Sequence, residues 1–259
     1  MSDIVVTLRD GRSVPCIVKG SGAPLLLIHG AESDRTQFAD LMTRLPSGLQ
    51  AVAYDQRDTG DQVSPDEHYT MDAMADDADE VIEALQWSKV HVLGTSYGGV
   101  VAQLLAIRHP ERVRTLSLVS TTGAYSWMSG FAEKSKKMSA AARAQTMLDA
   151  AVSPDARAAD PSLVDRIRTA LVDRTAEQHA RRMSALKDHD ARQQLHRIGV
   201  PTLVVHGVDD PVIPIAAGRE LADHIPGSAF WEIPKARHAT AFEYGDELSA
   251  KVATLVEGR

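Results

Sequence analysis

Short, unbroken apolar runs recur along this chain and constrain its fold more than any other feature. A strand that is buried on both faces of a parallel sheet has such a run, whereas a half-exposed strand alternates apolar and polar residues. An alternating pair, Ile4 to Leu8 and Ser13 to Lys19 around Asp10-Gly11, predicts a hairpin at the start of the chain. The continuous runs that predict buried strands are Leu25 to Ile28, Ala51 to Tyr54, Val90 to Leu93, Leu116 to Val119, Thr202 to Val205 and Ala229 to Ile233.

Helical patterns lie between these runs. Apolar residues recur at spacings of three and four from Met71 to Leu85, which predicts an amphipathic helix with Thr70 as its N-cap. Helices are also predicted from Val100 to Arg108, ended by His109-Pro110, and from Ala241 to Val256. Strands that alternate with helices predict an α/β protein whose mostly parallel central sheet is flanked by helices. On the first helix we expect a solvated acidic face rather than a metal site, formed by Asp76, Asp77, Asp79, Glu80 and Glu83.

One long stretch interrupts this alternation. Residues 123–197 contain no convincing strand pattern, only helix-like segments such as Ala140 to Ala151 and Pro161 to Asp173. We therefore expect a helical lid at 123–197, inserted into a core domain made of residues 1–122 and 198–259. A chain of 259 residues is long enough for one large domain of this kind.

The composition argues against several classes of function. Lys and Arg total 28 against 35 Asp and Glu, a net charge of −7, whereas a nucleic-acid partner needs clustered positive charge. A single cysteine, Cys16, excludes an intramolecular disulfide and a multi-thiolate metal site. The first residues lack the pattern of a secretory signal, and the longest apolar stretch is too short to span a bilayer. A cytoplasmic location without a membrane partner is therefore expected.

A candidate nucleophile follows the run that ends at Leu93. The residues from Gly94 to Gly98 match the pattern G-x-S-x-G, which is weak by itself because it arises readily by chance. Its position between a strand and a helix is the context of a nucleophile elbow, in which a strained turn exposes the serine hydroxyl. Glycine at both ends removes side chains that would collide where the strand meets the helix. We predict Ser96 as the nucleophile.

A serine hydroxyl becomes an effective nucleophile when a histidine, oriented by a carboxylate, removes its proton. Of ten histidines, His238 lies in the loop between the last predicted strand and the final helix, and it is the predicted base. Asp209 and Asp210 both follow the preceding strand. We favour Asp210, three residues after Gly207 and braced by Pro211, and a contribution from Asp209 stays open.

Two backbone N–H groups are candidates for the oxyanion hole, the donors that stabilise charge on the attacked carbonyl. One belongs to Tyr97, directly after Ser96, and the other to Ala31, in the loop after the Leu25 to Ile28 run, where Gly30 lets the backbone approach. The neighbouring His29 is expected to be structural rather than a second base. Three residues near the start of the predicted lid are candidates for an apolar substrate pocket, namely Tyr125, Trp127 and Met128.

With these motifs, the chain resembles the α/β-hydrolase family along nearly its whole length. The order Ser96, Asp210, His238 is the family's order, and Leu25 to Gly30 and Asp55 to Gly60 match its landmarks. The chain looks like small bacterial esterases, enol-lactone hydrolases and cofactor-free haloperoxidase-like proteins, and residues 54–60 are similar to anthracycline methyl-ester hydrolases. The resemblance implies the α/β-hydrolase fold with a helical lid and a Ser-His-Asp triad that requires no metal or organic cofactor.

The chain departs from the family's pattern at three positions around the predicted entrance to the site. Arg237 stands where a glycine usually precedes the histidine, Asp58 stands where a glycine is common, and Asp61 replaces a small or basic residue. These departures leave the substrate open. Ser96 argues against epoxide hydrolases and haloalkane dehalogenases, which use an aspartate there.

The expected reaction is cleavage of a small-molecule carboxylic ester through an acyl-enzyme. The alternatives are a lactonase or C–C bond hydrolase with the same triad, a non-hydrolytic lyase or cofactor-free dioxygenase, and a ligand-binding receptor. The expected partner is a small-molecule ester or lactone, and the sequence is compatible with a homo-oligomer.

Overall fold

The apolar runs form the centre of one eight-stranded sheet in the computed structural model, which describes residues 1–136 and 138–258. The strands are β1 (Ser2–Thr7), β2 (Ser13–Gly20), β3 (Gly22–Ile28), β4 (Gly48–Tyr54), β5 (Val90–Thr95), β6 (Val113–Val119), β7 (Thr202–Gly207) and β8 (Ala229–Ile233). Their order across the sheet is β1-β2-β4-β3-β5-β6-β7-β8. β2 pairs antiparallel with β1 and with β4, and the other pairs are parallel. The predicted mostly parallel sheet is confirmed.

Helices cover both faces of this sheet. They are α1 (Ala39–Arg44), α2 (Met71–Ala84), α3 (Tyr97–Arg108), α4 (Ser129–Lys136), α5 (Ala140–Ala151), α6 (Pro154–Ala159), α7 (Ser162–Thr169), α8 (Ala176–Lys187), α9 (Ile215–His224), α10 (Thr240–Glu243) and α11 (Gly245–Val256). The core on one face includes residues of α2 and α3, and the core on the other includes residues of α1 and α11. Leu26 and Leu27 of β3 are both fully buried, one in each core, which is why the strand is continuously apolar.

The amphipathic helix α2 begins as predicted, because the Thr70 side chain accepts a hydrogen bond from the Ala73 N–H. Its acidic face differs from the expectation. Asp77 is buried and pairs with Arg12 and Arg57. Asp79 is also buried and pairs with Arg112 (2.6 Å). The prediction of a solvated face is therefore wrong for these two carboxylates, because arginines distant in the sequence cover them.

Helix α3 starts at Tyr97, three residues before the predicted start. Gly98 and Gly99 lie inside its first turn, although glycine is a poor helix former. A Cβ on Gly99 would lie 2.6 Å from the Thr121 side chain, so close packing requires the small residue. The prediction missed this first turn because its two glycines are required by packing and not by helix propensity.

Helices α4 to α8 occupy the stretch between β6 and β7 in which the lid was predicted. Among the described residues of 123–197 no strand is formed, although Leu171 forms an isolated bridge with Ser33 and Asp190 one with Ala124. Residues 137 and 259, which the predicted lid and core include, lie outside the described residues. The division into lid and core remains a prediction. No helix in the described ranges is long and apolar enough to cross a bilayer.

Candidate active site

Ser96 lies in the sharp turn between β5 and α3, with φ 51° and ψ −118°. This conformation is unfavourable for a residue with a side chain, so neighbouring contacts must hold it. The Ser96 N–H donates to the Val119 carbonyl (2.9 Å), and Thr121 Oγ1 donates to the Ser96 carbonyl (2.7 Å). The turn is thus fixed by the end of β6 and the loop after it.

Two glycines let the strand and the helix meet at this turn. A Cβ on Gly94 would lie 2.3 Å from the Gly98 carbonyl oxygen, and a Cβ on Gly98 would lie 2.0 Å from the Ile28 carbonyl oxygen. The predicted steric role of both glycines is confirmed. Gly30 differs, because a Cβ there would meet nothing closer than 3.5 Å. Protein packing therefore does not demand glycine at this position, and its role in letting the backbone approach a bound carbonyl remains a prediction.

The structure brings Ser96, His238 and Asp210 together. His238 Nε2 lies 3.0 Å from Ser96 Oγ, and His238 Nδ1 lies 2.7 Å from Asp210 Oδ2. An imidazole that donates its Nδ1 proton to a carboxylate keeps Nε2 available as an acceptor. This arrangement allows His238 to accept the serine proton.

The two neighbouring aspartates are placed differently. Asp210 is buried, and its Oδ1 accepts hydrogen bonds from the N–H groups of Val212 (2.8 Å) and Ile213 (3.0 Å). Asp209 is exposed, and its N–H donates to the Ala236 carbonyl. The geometry therefore brings Asp210, and not Asp209, to the histidine.

A second histidine, His206, which the sequence reasoning placed only at the end of a strand, also contacts Asp210. It is fully buried, with Nε2 2.8 Å from the Ile213 carbonyl oxygen and 3.4 Å from Asp210 Oδ2. Burial alone would raise the pKa of Asp210, but the charge of His238 and hydrogen bonds from both histidines lower it well below its usual range. Asp210 is thus an anion at neutral pH. No sequence signal indicated this contact, because residues four apart share a face in a helix, whereas His206 lies in β7 and Asp210 in the loop after it.

Both predicted oxyanion donors lie next to Ser96 or its cavity. Tyr97 is the first residue of α3, so its N–H has no acceptor within the helix. Ala31 lines the cavity that contains Ser96. The Gly30 N–H donates to Gln37 Oε1 (2.8 Å) and is therefore already engaged. The oxyanion role of Ala31 and Tyr97 remains a prediction.

His29 is a structural residue in this arrangement. It is fully buried, its Nδ1 lies 2.8 Å from the Gly30 carbonyl oxygen, and its Nε2 accepts from the Gln56 N–H (3.2 Å). Burial and the nearby charges of Arg182 and Arg174 lower the pKa of His29 well below its usual value. A neutral histidine with both ring nitrogens engaged cannot act as a second base.

Ser96 and His238 open on a cavity with largely apolar walls. Met128 lines it, together with Phe131, Met147, Leu148, Ile167, Leu171 and Phe242. The other two predicted substrate contacts lie outside the lining. Trp127 Nε1 donates to Glu220 Oε2 (2.7 Å), and Tyr125 packs against the main core. The structure therefore corrects the placement of Tyr125 and Trp127, because partners elsewhere in the fold hold these rings.

Helix α5 ends against the loop that carries His238. The last carbonyl groups of a helix have no partner within it. Here Arg237 Nη1, the His238 N–H and the Ala239 N–H donate in turn to the carbonyl oxygens of residues 149, 150 and 151 (2.5, 3.2 and 2.9 Å). Arg237 therefore helps to join this loop to α5.

Asp58, another departure from the family's pattern, is bonded to α8. The residue is fully buried and has a φ of 56°, a conformation that favours glycine. Arg181 donates to both of its carboxylate oxygens (3.0 and 2.7 Å), and the Tyr69 hydroxyl and Ser64 N–H donate to them as well (2.9 and 3.1 Å). An ion pair here links the loop after β4 to α8.

Comparison with known proteins places this geometry among hydrolases. A family model described as alpha/beta hydrolase fold matches residues 23–243. The chain is 32% identical over 266 residues to pimeloyl-[acyl-carrier protein] methyl ester esterase of Neisseria meningitidis, covering 96% of this chain and 98% of that protein. It is 31% identical over 210 residues to 3-oxoadipate enol-lactonase 2 of Acinetobacter baylyi, covering 80% and 78%. The crystal structure of a hydrolase from Pseudomonas aeruginosa PA01 is 26% identical, with a TM-score of 0.86 and 98% of each chain covered.

Proposed function

This chain belongs to the α/β-hydrolase family, and on that basis we propose that it is a serine hydrolase that cleaves a carboxylic ester of a small molecule. One observation carries the proposal. The hydrogen-bonded series from Ser96 Oγ through His238 to Asp210 opens on an apolar cavity. A nucleophile, a base and a buried anion in this order suit acyl transfer.

In the proposed mechanism, Ser96 Oγ attacks the ester carbonyl while His238 Nε2 accepts its proton. Asp210 stabilises the imidazolium that forms, and the N–H groups of Ala31 and Tyr97 donate to the oxyanion. His238 then returns the proton to the leaving alcohol, which leaves an acyl group on Ser96. A water molecule that loses its proton to His238 attacks this acyl group, and His238 returns that proton to Ser96 Oγ as the acid is released. Every proton transfer uses the same histidine nitrogen.

A lactonase is the second candidate, supported by the similarity to the enol-lactonase over 80% of the chain. A lactone is a cyclic ester, so the same steps would open its ring, with the alcohol retained in the product. The two candidates differ only in whether the cavity binds a linear ester or a lactone.

The test is a panel of p-nitrophenyl esters and lactones assayed with the wild-type protein, Ser96→Ala and a control, Ser47→Ala, whose serine is exposed in the loop before β4. Loss of the nucleophile should lower kcat by about 10⁴-fold or more, while the control keeps the wild-type rate. Mass spectrometry should detect the acyl group on the wild-type protein and not on Ser96→Ala. Equally slow product release by wild type and Ser96→Ala would refute the hydrolase proposal. A kcat/KM for lactones more than tenfold above that for linear esters would favour the second candidate.

A further inference from the structure

The cavity that contains Ser96 also holds a carboxylate and a histidine that the proposed reaction does not use. Glu32 directly follows Ala31 in the loop after β3, and both residues line the cavity. His179 of α8 lines it as well, with Nδ1 3.4 Å from Glu32 Oε1. The two side chains are only 25% and 16% exposed. Glu32 therefore presents a partly shielded carboxylate in the same cavity as Ser96, and it directly follows the proposed oxyanion donor in the chain.

The positive charge near this loop is not part of the cavity wall. Arg174 donates to the Ser33 carbonyl (2.6 Å), and the guanidinium of Arg182 lies over the Tyr97 ring, 4.4 Å from its centre. Neither arginine lines the cavity, and among the described side chains that do, none belongs to Lys or Arg. A bound substrate would thus meet the carboxylate of Glu32 before it meets these cations.

We infer that Glu32 determines which esters the site accepts, and that the preferred substrate carries a hydrogen-bond donor, such as a hydroxyl group, near its scissile carbonyl. An ionised carboxylate can only accept hydrogen bonds, so it pairs with a hydroxyl and repels a second carboxylate. Substrates with a free carboxylate at this position are therefore poor. This inference rests on the proposed function, because it concerns the same site.

Three methyl esters test it: methyl butanoate, methyl 3-hydroxybutanoate and monomethyl succinate. Their kcat/KM values are measured by proton release at constant pH, for wild type and for Glu32→Gln. Neutralising Glu32 removes the charge that repels a second carboxylate in the cavity. The ratio of kcat/KM for monomethyl succinate to that for methyl butanoate should therefore rise about tenfold, the size expected for removing one charge a few ångströms away in a partly hydrated cavity. The ratio for the hydroxy ester to methyl butanoate should fall.

Glu247→Gln is the matched control, because it makes the same change at an exposed position of α11 outside the cavity, and both ratios should stay at their wild-type values. Glu32→Ala removes the same charge and replaces Glu32→Gln if that variant does not fold. Glu32→Asp keeps the charge and should keep the wild-type preference against succinate. Ratios unchanged within twofold in an active, folded neutral variant would overturn the inference and leave the esterase proposal intact. Absence of Ser96-dependent cleavage of all three esters would instead overturn the proposed function.

Discussion

Replacing Asp210 with asparagine tests whether this aspartate, rather than the neighbouring Asp209, sets the tautomer of His238. The carbonyl oxygen of the new amide can still accept from the backbone N–H groups that now donate to Oδ1. Its NH₂ group then faces His238 Nδ1, where Asp210 Oδ2 lies at 2.7 Å. Because an amide nitrogen donates, Nδ1 must become the acceptor and Nε2 must carry the proton. A histidine in that tautomer cannot take the proton of Ser96, 3.0 Å away.

The expected loss follows from this change of tautomer. Holding the base in the wrong tautomer typically lowers kcat by about 10⁴-fold, which corresponds to about 5.5 kcal/mol of activation free energy. A stability effect should accompany it. The pKa of Asp210 is lowered in the folded protein, so its ionised form stabilises the fold above the pKa of an unfolded aspartate and loses that contribution as the pH falls. The unfolding free energies of wild type and Asp210→Asn should therefore differ most at neutral pH and converge in acid.

The matched control is Asp209→Asn, which makes the same chemical change at the adjacent exposed position. We expect its kcat for a p-nitrophenyl ester to stay within about threefold of wild type. Urea unfolding of each protein at the assay temperature ensures that only folded enzyme is compared. Equal losses in both variants, or a larger loss in Asp209→Asn, would refute the assignment of Asp210.

Three further perturbations test the packing around the site. Gly98→Ala places a methyl group 2.0 Å from a backbone oxygen and should lower the unfolding free energy, measured in urea, by about 3 kcal/mol or more. The control Gly130→Ala places its methyl group in open space and should change the unfolding free energy by less than about 1 kcal/mol. Equal effects would contradict the steric argument. Arg181→Met leaves the fully buried carboxylate of Asp58 without its cation and should cost about 3–5 kcal/mol in the same measurement, so a cost below about 1 kcal/mol would refute the importance of the pair. Burial lowers the pKa of His189 to about 4, so the unfolded chain binds this proton more readily than the folded one. The unfolding free energy should therefore fall as the pH drops from about 6.5 to 4, and His189→Gln should remove about 3 kcal/mol of that fall. An unchanged pH profile in the variant would exclude this histidine as its source.

The sheet could be predicted because burial on both faces of a strand requires continuous apolar sequence. The strand ends could not. β4 begins at Gly48 rather than at the predicted Ala51, because its first residues pair with β3 through backbone groups, with Gly22 opposite Gly48. Backbone pairing places little demand on side chains, so the strand can extend through Gly48 and Gln50, which interrupt the apolar run around the buried Leu49.

The positions of the nucleophile, acid and base could also be predicted, because topology alone brings them together. β5, β7 and β8 run parallel, so the loops after them meet at one edge of the sheet, where Ser96, Asp210 and His238 lie. Side-chain partners distant in the sequence were not predictable in this way. Helical periodicity assigned Asp77 to a solvated face because it contains no information about Arg12, 65 residues away. Trp127 was assigned to the cavity for the same reason, since its partner, Glu220, lies on α9.

Two departures from the family's pattern have a common physical consequence for the site. Arg237 joins the His238 loop to α5, and Asp58 joins the loop after β4 to α8, so each forms a bond to a helix of residues 123–197. The His238 N–H itself donates to a carbonyl at the end of α5. A displacement of α5 would therefore break a bond to the proposed base as well as open the cavity that α5 lines through Leu148. Changes that loosen α5 should consequently alter kcat together with KM, rather than substrate binding alone.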